Sequence, residues 1–183
     1  STEQTEEELS KQAEKFGCEI RSEEAIRVDL KEKKVYTPAE TYEWKALIIA
    51  TGAYSKSLGV PGEDRLIGRG ISFCATCDGA LFSGKTVAVV GGGDSAVKEA
   101  LFLTRFASKV YVIHRRNELR AEKIIQEKAF QNPKIEFIWD TVVTEILGET
   151  RVESVRVKNV RTQGESELPM EGVFVYIGRV PNT

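Results

Sequence analysis

The second half of the chain carries the clearest alternation of strand and helix patterns. An uninterrupted apolar run at 86–90 is followed by an amphipathic helical pattern at 95–106 and by a second apolar run at 110–113. Apolar runs without alternation are typical of strands that are buried on both faces of a parallel sheet. The order strand, helix, strand therefore predicts one βαβ unit in this part of the chain.

The pattern continues towards the C-terminus with one more helix and several shorter strands. A helical period covers about 119–131 and ends at Asn132-Pro133, because proline cannot continue a helix. The later apolar runs predict strands that we expect to complete a mixed sheet, near 135–139, 142–147, 152–160 and 173–177.

The first third of the chain has a different texture, with short runs between charged turns. Residues 2–16 have a helical period that ends at Gly17. Residues 54–72 are rich in glycine and serine and contain Pro61, which predicts a linker between two modules. The remaining runs predict a small antiparallel meander that leads into one buried strand, with strands at 18–22, 25–30, 34–37 and 46–50.

Composition and charge are those of an ordinary globular protein. The 183 residues include 26 Lys and Arg against 28 Asp and Glu, for a formal net charge of −2. This balance leaves no basic excess for a phosphate backbone, so we expect no nucleic-acid partner. The apolar runs are far shorter than the ~20 residues that cross a bilayer, and the N-terminal residues are acidic rather than leader-like. We therefore expect neither a membrane span nor secretion.

The cysteine count narrows the class of protein further. Three cysteines are present, Cys18, Cys74 and Cys77, and an odd number does not make a disulfide scaffold. A reducing compartment such as the cytoplasm fits better, with any disulfide catalytic and transient. A zinc ribbon needs a second Cys/His pair that the sequence lacks, so we expect no metal site. Cys18, alone on a predicted strand, is expected to be a buried thiol.

A glycine motif follows the first apolar strand of the βαβ unit. In the strand, turn, helix, strand context this G-x-G-x-x-A spacing is a fingerprint of dinucleotide binding. Glycines allow the tight turn and the close approach of a pyrophosphate, and the helix N-terminus offers unpaired N–H groups. The alternative is a glycine-rich turn without a ligand. The motif consists of Gly91, Gly92, Gly93, Asp94, Ser95 and Ala96.

A basic cluster follows the second apolar strand, where an NAD enzyme places an acidic residue for the ribose 2′-hydroxyl. His114, Arg115 and Arg116 occupy that position, and Arg120 follows in the next segment. Guanidinium groups bind a 2′-phosphate through charge-assisted hydrogen bonds. The cluster therefore predicts NADPH rather than NADH as the cofactor, and a solvated basic surface remains the alternative.

A paired-thiol motif, Cys74-Ala75-Thr76-Cys77-Asp78-Gly79, precedes the βαβ unit. Two cysteines with two residues between them can close and reopen a disulfide, and the adjacent carboxyl group can move the accompanying proton. The alternatives are two buried structural cysteines or half of a metal site. A nicotinamide and a disulfide do not exchange electrons directly, so we expect a flavin as intermediate carrier.

Together these motifs resemble the low-molecular-weight, bacterial-type thioredoxin reductases over essentially the whole chain. The resemblance implies an α/β fold, with a Rossmann-like three-layer NAD(P)-binding domain containing a β-meander and a partial second domain of FAD type. It assigns 1–55 to a remnant of the FAD-binding domain, 56–178 to the NADPH-binding domain with the redox cysteines, and 179–183 to the return to the FAD domain. The residues that carry it are 46–53, 74–79, 87–96, His114-Arg115-Arg116, 120–123 and 178–183.

The resemblance also implies a function and residue roles. Electrons would pass from NADPH through FAD to the Cys74/Cys77 dithiol and on to thioredoxin, in a protein that is a homodimer at full length. Cys77 would face the flavin, Cys74 would exchange with thioredoxin, and Asp78 would carry the proton. Further cofactor-binding residues implied in this way are Thr51, Gly52, Ile177, Gly178 and Arg179.

The sequence departs from this family at both ends. Its members begin with a second glycine fingerprint and end with a further flavin-contacting segment, and neither is present. We therefore interpret the chain as a fragment, inactive alone, whose first 53 residues leave apolar surface exposed. Two alternatives remain: a nucleotide-binding module without turnover, or a related flavoprotein disulfide reductase with another partner, such as the NADH-dependent flavoprotein subunit of alkyl hydroperoxide reductases.

Overall fold

The computed structural model describes residues 2–182, which divide into two compact units, Ser1–Ala50 and Thr51–Thr183. Every helix among residues 2–182 falls short of the length and hydrophobicity of a transmembrane span.

The first unit contains one helix and one small sheet. Helix α1 covers Thr2–Lys15 and ends before Gly17, whose φ of +83° suits glycine. The predicted helix is thus confirmed, and so are the meander strands predicted at 25–30 and 34–37, whereas the third strand of the sheet, at 41–43, was not predicted. The antiparallel sheet has the order β1-β2-β3, with β1 Arg27–Asp29, β2 Lys34–Tyr36 and β3 Thr41–Glu43.

Two predicted strands of the first unit are wrong. Residues 18–22 and 46–50 have no strand conformation, and Cys18 is exposed rather than buried. Ile48 and Ile49 are 90% and 60% exposed. The physical reason is that a strand exists only with a hydrogen-bonded neighbour, and no strand of residues 2–182 pairs with these two segments. The apolar surface that we expected in this unit is exposed.

The second unit is built on a five-stranded parallel sheet with the order β5-β12-β6-β7-β8. The β-branched runs of the predicted βαβ unit form its centre, as expected for strands covered on both faces. The elements that build the sheet and its helices are β5 Ile71–Ser72, β6 Thr86–Val90, α4 Asp94–Leu103, β7 Lys109–Ile113, α5 Lys123–Phe130, β8 Ile135–Ile138 and β12 Gly172–Val175.

Three layers result, as predicted for a Rossmann-like domain. Helices α4 and α5 pack on one face of the parallel sheet, around the fully buried Phe174. An antiparallel sheet of order β11-β10-β9 packs on the other face, where Val155 and Ile146 are buried. Its strands are β9 Thr141–Leu147, β10 Ser154–Asn159 and β11 Glu165–Pro169.

This arrangement corrects the prediction of one mixed sheet. The strands expected at 142–147 and 152–160 form their own antiparallel layer, and β11, whose residues are mostly polar and exposed, escaped the apolar pattern. The helices are shorter than predicted, because residues 104–106 form a turn and residues 119–122 are irregular.

The predicted linker at 54–72 is also wrong in part. It contains helix α2 Glu63–Leu66 and strand β5, and Leu66 and Ile71 lie in the core at 0% and 2% exposure. Strand β4 Ala53–Ser55 pairs antiparallel with β13 Arg179–Pro181. A short helix α3, Ala75–Asp78, and a 3-10 turn at Gly79–Phe82 lead into β6.

Candidate functional site

Three strand ends meet at the carboxyl edge of the parallel sheet. Strand register places Val90 beside both Val175 and Ile113. The chain continues from these positions into Gly91, Tyr176 and His114, so the three following segments lie side by side. Ligands of open α/β sheets bind at this edge, in the crevice beyond the strand ends.

The glycine turn fits a closely approaching ligand. Gly91 has a φ of +148°, and a Cβ there would lie 2.4 Å from the carbonyl oxygen of Tyr176. A Cβ on Gly92 would lie 2.3 Å from the His114 ring, whereas a Cβ on Gly93 would meet no atom within 4 Å. The first two glycines are required by the fold, and the third leaves open space above the turn.

Helix α4 begins at this turn with free donors. Its N-cap is Gly93, which makes no side-chain capping hydrogen bond, so the first N–H groups are available to an anion. Ala96 is fully buried where the helix meets the sheet. Asp94 accepts a hydrogen bond from the backbone N–H of Glu122 at 2.8 Å, so this carboxylate also holds the segment after β7 in place.

The basic cluster docks directly on the glycine turn. The backbone N–H of Arg120 donates to the carbonyl oxygen of Gly92 at 2.7 Å. Arg115 and Arg120 line a cavity of about 410 Å³, together with His114. Arg116 is exposed and does not line it. We name this space the basic cavity; it is lined by Lys56, Leu58, Val90–Gly92, Ile113–Arg115, Arg120, Thr141–Val143, Tyr176 and Ile177.

His114 is a buried imidazole with an unused nitrogen. Its side chain is 5% exposed, and Nε2 has no hydrogen-bond partner among the residues described. Burial, followed by the positive charge of Arg120, lowers the pKa of His114. The ring is therefore neutral at neutral pH and presents a polar nitrogen beside the glycine turn.

A second cavity, of about 470 Å³, lies on the other side of the glycine turn. We name it the carboxylate cavity, because Asp94 and Glu99 line it. Oε2 of Glu99 is buried and has no hydrogen-bond partner in the part of the chain that the structure describes, and burial raises the pKa of this carboxyl group. Gly93, Ser95 and Ala96 line the same space, as do the predicted residues Ile177, Gly178 and Arg179. Arg120, Tyr176 and Ile177 line both cavities.

Thr51 and Gly52 lie away from these cavities. They precede β4, where the backbone N–H of Asn182 donates to Gly52 O at 3.1 Å and its side-chain amide donates to Thr51 O at 3.1 Å. Both residues are exposed, and Gly52 has a φ of +75°. The two predicted residues therefore form a backbone corner that residues 2–182 leave uncovered.

The two predicted redox cysteines form a disulfide at helix α3. Cys74 is the N-cap residue, and its Sγ accepts the backbone N–H of Cys77 at 3.2 Å. Cys74 is half-buried, whereas Cys77 is exposed. The geometry holds both sulfurs on one turn of the chain and leaves them open to a partner.

Two anchors of this turn were not predicted from the sequence. The Ser72 hydroxyl donates to Oδ2 of Asp78 at 2.6 Å, and the Tyr176 hydroxyl accepts the backbone N–H of Ala75 at 2.7 Å. Neither residue belongs to a motif, and Glu99 was missed for the same reason. The sequence signal for Ser72 and Tyr176 was weak, since each is only a polar residue at the end of an apolar strand.

Tyr176 connects the disulfide turn with the nucleotide cleft. Its ring lines both cavities, and its hydroxyl holds α3. Burial, with a contribution from the nearby Glu99 and Asp78 carboxylates, raises the pKa of Tyr176 to about 12. The phenol is therefore neutral and keeps its proton throughout the physiological range.

Comparison with known proteins agrees with this geometry. The chain is 51% identical to the thioredoxin reductase of Bacillus subtilis over 172 residues, covering 92% of this chain and 54% of the relative. It is 47% identical to the enzyme of that name from Streptomyces coelicolor over 175 residues, covering 94% and 54%. The chain thus spans about half the length of the curated relatives it matches.

Solved structures give the same result. The thioredoxin reductase of Giardia duodenalis superposes with a TM-score of 0.82 at 37% identity, covering 97% of this chain and 59% of that one. That of Lactococcus lactis, described as the FR conformation, gives 0.75 at 47% identity, covering 84% and 52%. The resemblance and the fold class inferred from the motifs are thereby confirmed. The family described as "Pyridine nucleotide-disulphide oxidoreductase" matches residues 1–183, and the chain belongs to that family.

Proposed function

We propose that the chain is the nucleotide-binding and dithiol-bearing part of an NADPH-dependent flavoprotein that reduces the disulfide of thioredoxin. One observation carries this proposal: the glycine turn, the basic cavity and the disulfide turn belong to one unit and are joined through Tyr176. In this assignment 56–178 is the NADPH module, and 1–55 with 179–183 belongs to the FAD module.

The charge of the basic cavity supports NADPH over NADH. Lys56, Arg115 and Arg120 line it, and the residues described there include no carboxylate. A 2′-phosphate brings about two negative charges, which guanidinium groups bind through charge-assisted hydrogen bonds. The carboxylates Asp94 and Glu99 lie in the other cavity, where Arg120 and Arg179 balance their charge, so the excess of positive charge lies in the basic cavity. We place the 2′-phosphate in the basic cavity and the nicotinamide end in the carboxylate cavity.

A flavin supplies the step that accepts two electrons from a nicotinamide and passes them to a disulfide. The backbone at Thr51 and Gly52 is the part of this chain that would contact it. This corner is exposed and is fixed by Asn182, and Gly52, whose positive φ favours glycine, brings no side chain to it. These features fit a flat ligand that approaches the backbone closely.

The dithiol then acts by thiol–disulfide exchange. Two electrons and two protons convert the Cys74–Cys77 disulfide into two thiols. The Cys74 thiolate attacks one sulfur of the thioredoxin disulfide, and the sulfur it displaces takes up a proton. The Cys77 thiolate next attacks Cys74 Sγ, which restores the disulfide and releases the second thioredoxin sulfur. Asp78, one residue after Cys77, carries the proton between Cys77 and the departing sulfur.

The partner and setting follow from the same proposal. Thioredoxin meets the disulfide turn at the half-buried Cys74, whose thiol exchanges with it, and no nucleic acid or membrane is involved. The full-length protein is a homodimer, and a disulfide that opens in each cycle belongs in the cytoplasm.

The test is turnover of the full-length protein with FAD bound. We expect it to reduce thioredoxin with NADPH, with kcat/KM at least ~10-fold higher than with NADH, since one charged contact is worth 1.5–3 kcal/mol. Reduction of a peroxiredoxin with a preference for NADH would instead favour the alkyl hydroperoxide reductase alternative. The chain of 183 residues, supplied with FAD and NADPH, is expected to bind nucleotide without turnover.

A further inference from the structure

Ser72 lies between the two ends of the disulfide turn. It is the second residue of the edge strand β5, where it pairs with Phe174 of β12. The residue is only 5% exposed, so its hydroxyl must find partners within the protein. It finds three, all of them on the turn: Asp78 Oδ2 at 2.6 Å, the backbone N–H of Cys74 at 3.0 Å and Cys74 O at 3.3 Å.

A count of donors and acceptors fixes the direction of these bonds. A serine hydroxyl has one proton to donate and two lone pairs to accept with. The N–H of Cys74 can only donate, so the Ser72 oxygen accepts it. The single proton goes to Asp78 Oδ2, because 2.6 Å is typical of a hydroxyl donating to a carboxylate and 3.3 Å is long. One side chain thus holds Cys74 and Asp78 together.

The carboxylate is therefore held by one oxygen only. Oδ2 accepts the Ser72 hydroxyl, and Oδ1 accepts no hydrogen bond within the described part of the chain. A carboxylate fixed in this way cannot rotate freely, so its second oxygen keeps a constant direction relative to the disulfide turn.

We propose that Ser72 is a positioning residue for proton transfer at the dithiol, which rests on the function proposed above. Because Ser72 holds Oδ2 of Asp78, Oδ1 stays available for proton transfer with the Cys77 thiol. Oδ1 takes the proton from the Cys77 thiol, so that one S–H bond breaks and one O–H bond forms. The resulting thiolate attacks Cys74 Sγ in the mixed disulfide, and the carboxylic acid returns the proton to the departing thioredoxin sulfur. Protons and electrons balance without a further reactant.

A purely structural role makes a different prediction. If Ser72 mattered only because it accepts the Cys74 N–H, its loss would be felt whether or not Asp78 is present. If it acts through Asp78, its loss is felt only while the carboxyl group is there. A double-mutant cycle separates the two cases.

The experiment uses the full-length flavoprotein and the variants Ser72→Ala, Asp78→Ala and the double variant. We expect Ser72→Ala to lower kcat for thioredoxin reduction about 10-fold, with KM for NADPH and thioredoxin unchanged. This loss is smaller than the roughly 10²–10⁴-fold that a positioned acid–base group contributes, because the carboxyl group of Asp78 is still present. In the Asp78→Ala background the same substitution should change kcat less than about 2-fold, because no carboxyl group is left to position. Ser72→Thr, which keeps the hydroxyl, should retain most of the activity.

Two outcomes overturn the inference. One is full kcat in Ser72→Ala, and the other is an equal loss in both backgrounds, which would identify Ser72 as part of the scaffold only. Thermal melting of each variant establishes that it is folded. If the unsubstituted enzyme does not reduce thioredoxin, the proposed function fails by itself, and the same cycle is then measured with 5,5′-dithiobis(2-nitrobenzoate), a small disulfide that needs no protein partner.

Discussion

The nucleotide cleft and the disulfide turn are built in different ways, although both lie in the same unit. The cleft is formed where β6, β7 and β12 end together, so chain order and sheet register place its residues. The disulfide turn is a helix of four residues that Ser72 and Tyr176 hold in place. The first site is specified by regular structure, and the second by two side chains. The two sites should therefore respond to different substitutions.

The cysteine variants should separate the two sites most strongly. Cys74→Ser and Cys77→Ser each remove one sulfur of the disulfide, so we expect thiol exchange with thioredoxin to be abolished in the full-length protein. The affinity for NADPH, measured by calorimetry, should stay unchanged, because neither cysteine lines the two cavities. Cys18→Ser, which replaces the exposed third cysteine, is the matched control. Thiol exchange that persists in either variant would contradict the assignment of Cys74 and Cys77 as the exchanging thiols.

The arginine variants should affect the nucleotide cleft and leave the disulfide turn unchanged. Arg115→Ala and Arg120→Ala should each weaken NADPH binding by about 1.5–3 kcal/mol and leave NADH binding nearly unchanged, since each removes a charged partner of the 2′-phosphate. Arg116→Ala should cost less, because Arg116 does not line the basic cavity. Arg105→Ala, an exposed arginine outside both cavities, is the control. Titration calorimetry with both cofactors measures this, and equal losses for NADPH and NADH would contradict the assignment.

Tyr176→Phe should affect both sites. The variant keeps the ring but leaves the N–H of Ala75 without its acceptor, which costs about 1–3 kcal/mol when the donor is buried. We expect a lower melting temperature and slower thioredoxin reduction, with a smaller change in nucleotide affinity because the ring still lines both cavities. If exchange and stability were unchanged, the cleft and the turn would be independent despite this hydrogen bond.

The pH dependence of His114 should give the smallest effect, confined to the cleft. Its folded pKa lies below the unfolded value of 6.5, so the unfolded chain takes up the proton first as pH falls. The contribution of His114 to the free energy of unfolding is therefore fully present above pH 6.5 and is lost as the pH falls through the folded pKa. Melting temperatures measured down to about pH 5.5 should fall more steeply for the wild type than for His114→Gln, which cannot become charged in this range. Parallel curves would show that His114 does not contribute.

The strands and the helix that border the cleft could be predicted because their sequence signals are local. Strand 86–90, the glycine turn and the following helix are contiguous, and the basic residues come directly after the next strand. For the disulfide turn, the sequence predicted the paired thiols but not the side chains that anchor them. Tyr176 and Ala75 are 101 residues apart, and the pattern of apolar and polar positions does not predict a hydrogen bond between residues so distant in the sequence.

The wrong strands at 18–22 and 46–50 have a related cause. Residues 46–50, Ala-Leu-Ile-Ile-Ala, form an apolar run of the kind that predicts a buried strand, but a strand also needs a neighbour on at least one side. Residues 86–90 have neighbours on both sides, β12 and β7, and form the predicted strand. Residues 46–50 have none within the described part of the chain and stay irregular. A run of apolar residues thus indicates that a segment favours a strand, but whether the strand forms depends on a neighbouring strand with which it can form hydrogen bonds.

The wall shared by the two cavities has a consequence for how strongly a ligand is retained. Arg120, Tyr176 and Ile177 line both compartments, of about 410 and 470 Å³, so a dinucleotide can extend from one compartment into the other. A ligand with two linked ends that occupies one compartment holds its other end beside the second at a high effective concentration. Avidity of this kind favours a whole dinucleotide over a mixture of its two halves, and Tyr176, whose backbone N–H is bound to Val90 O at 2.8 Å, keeps the spacing between the compartments constant.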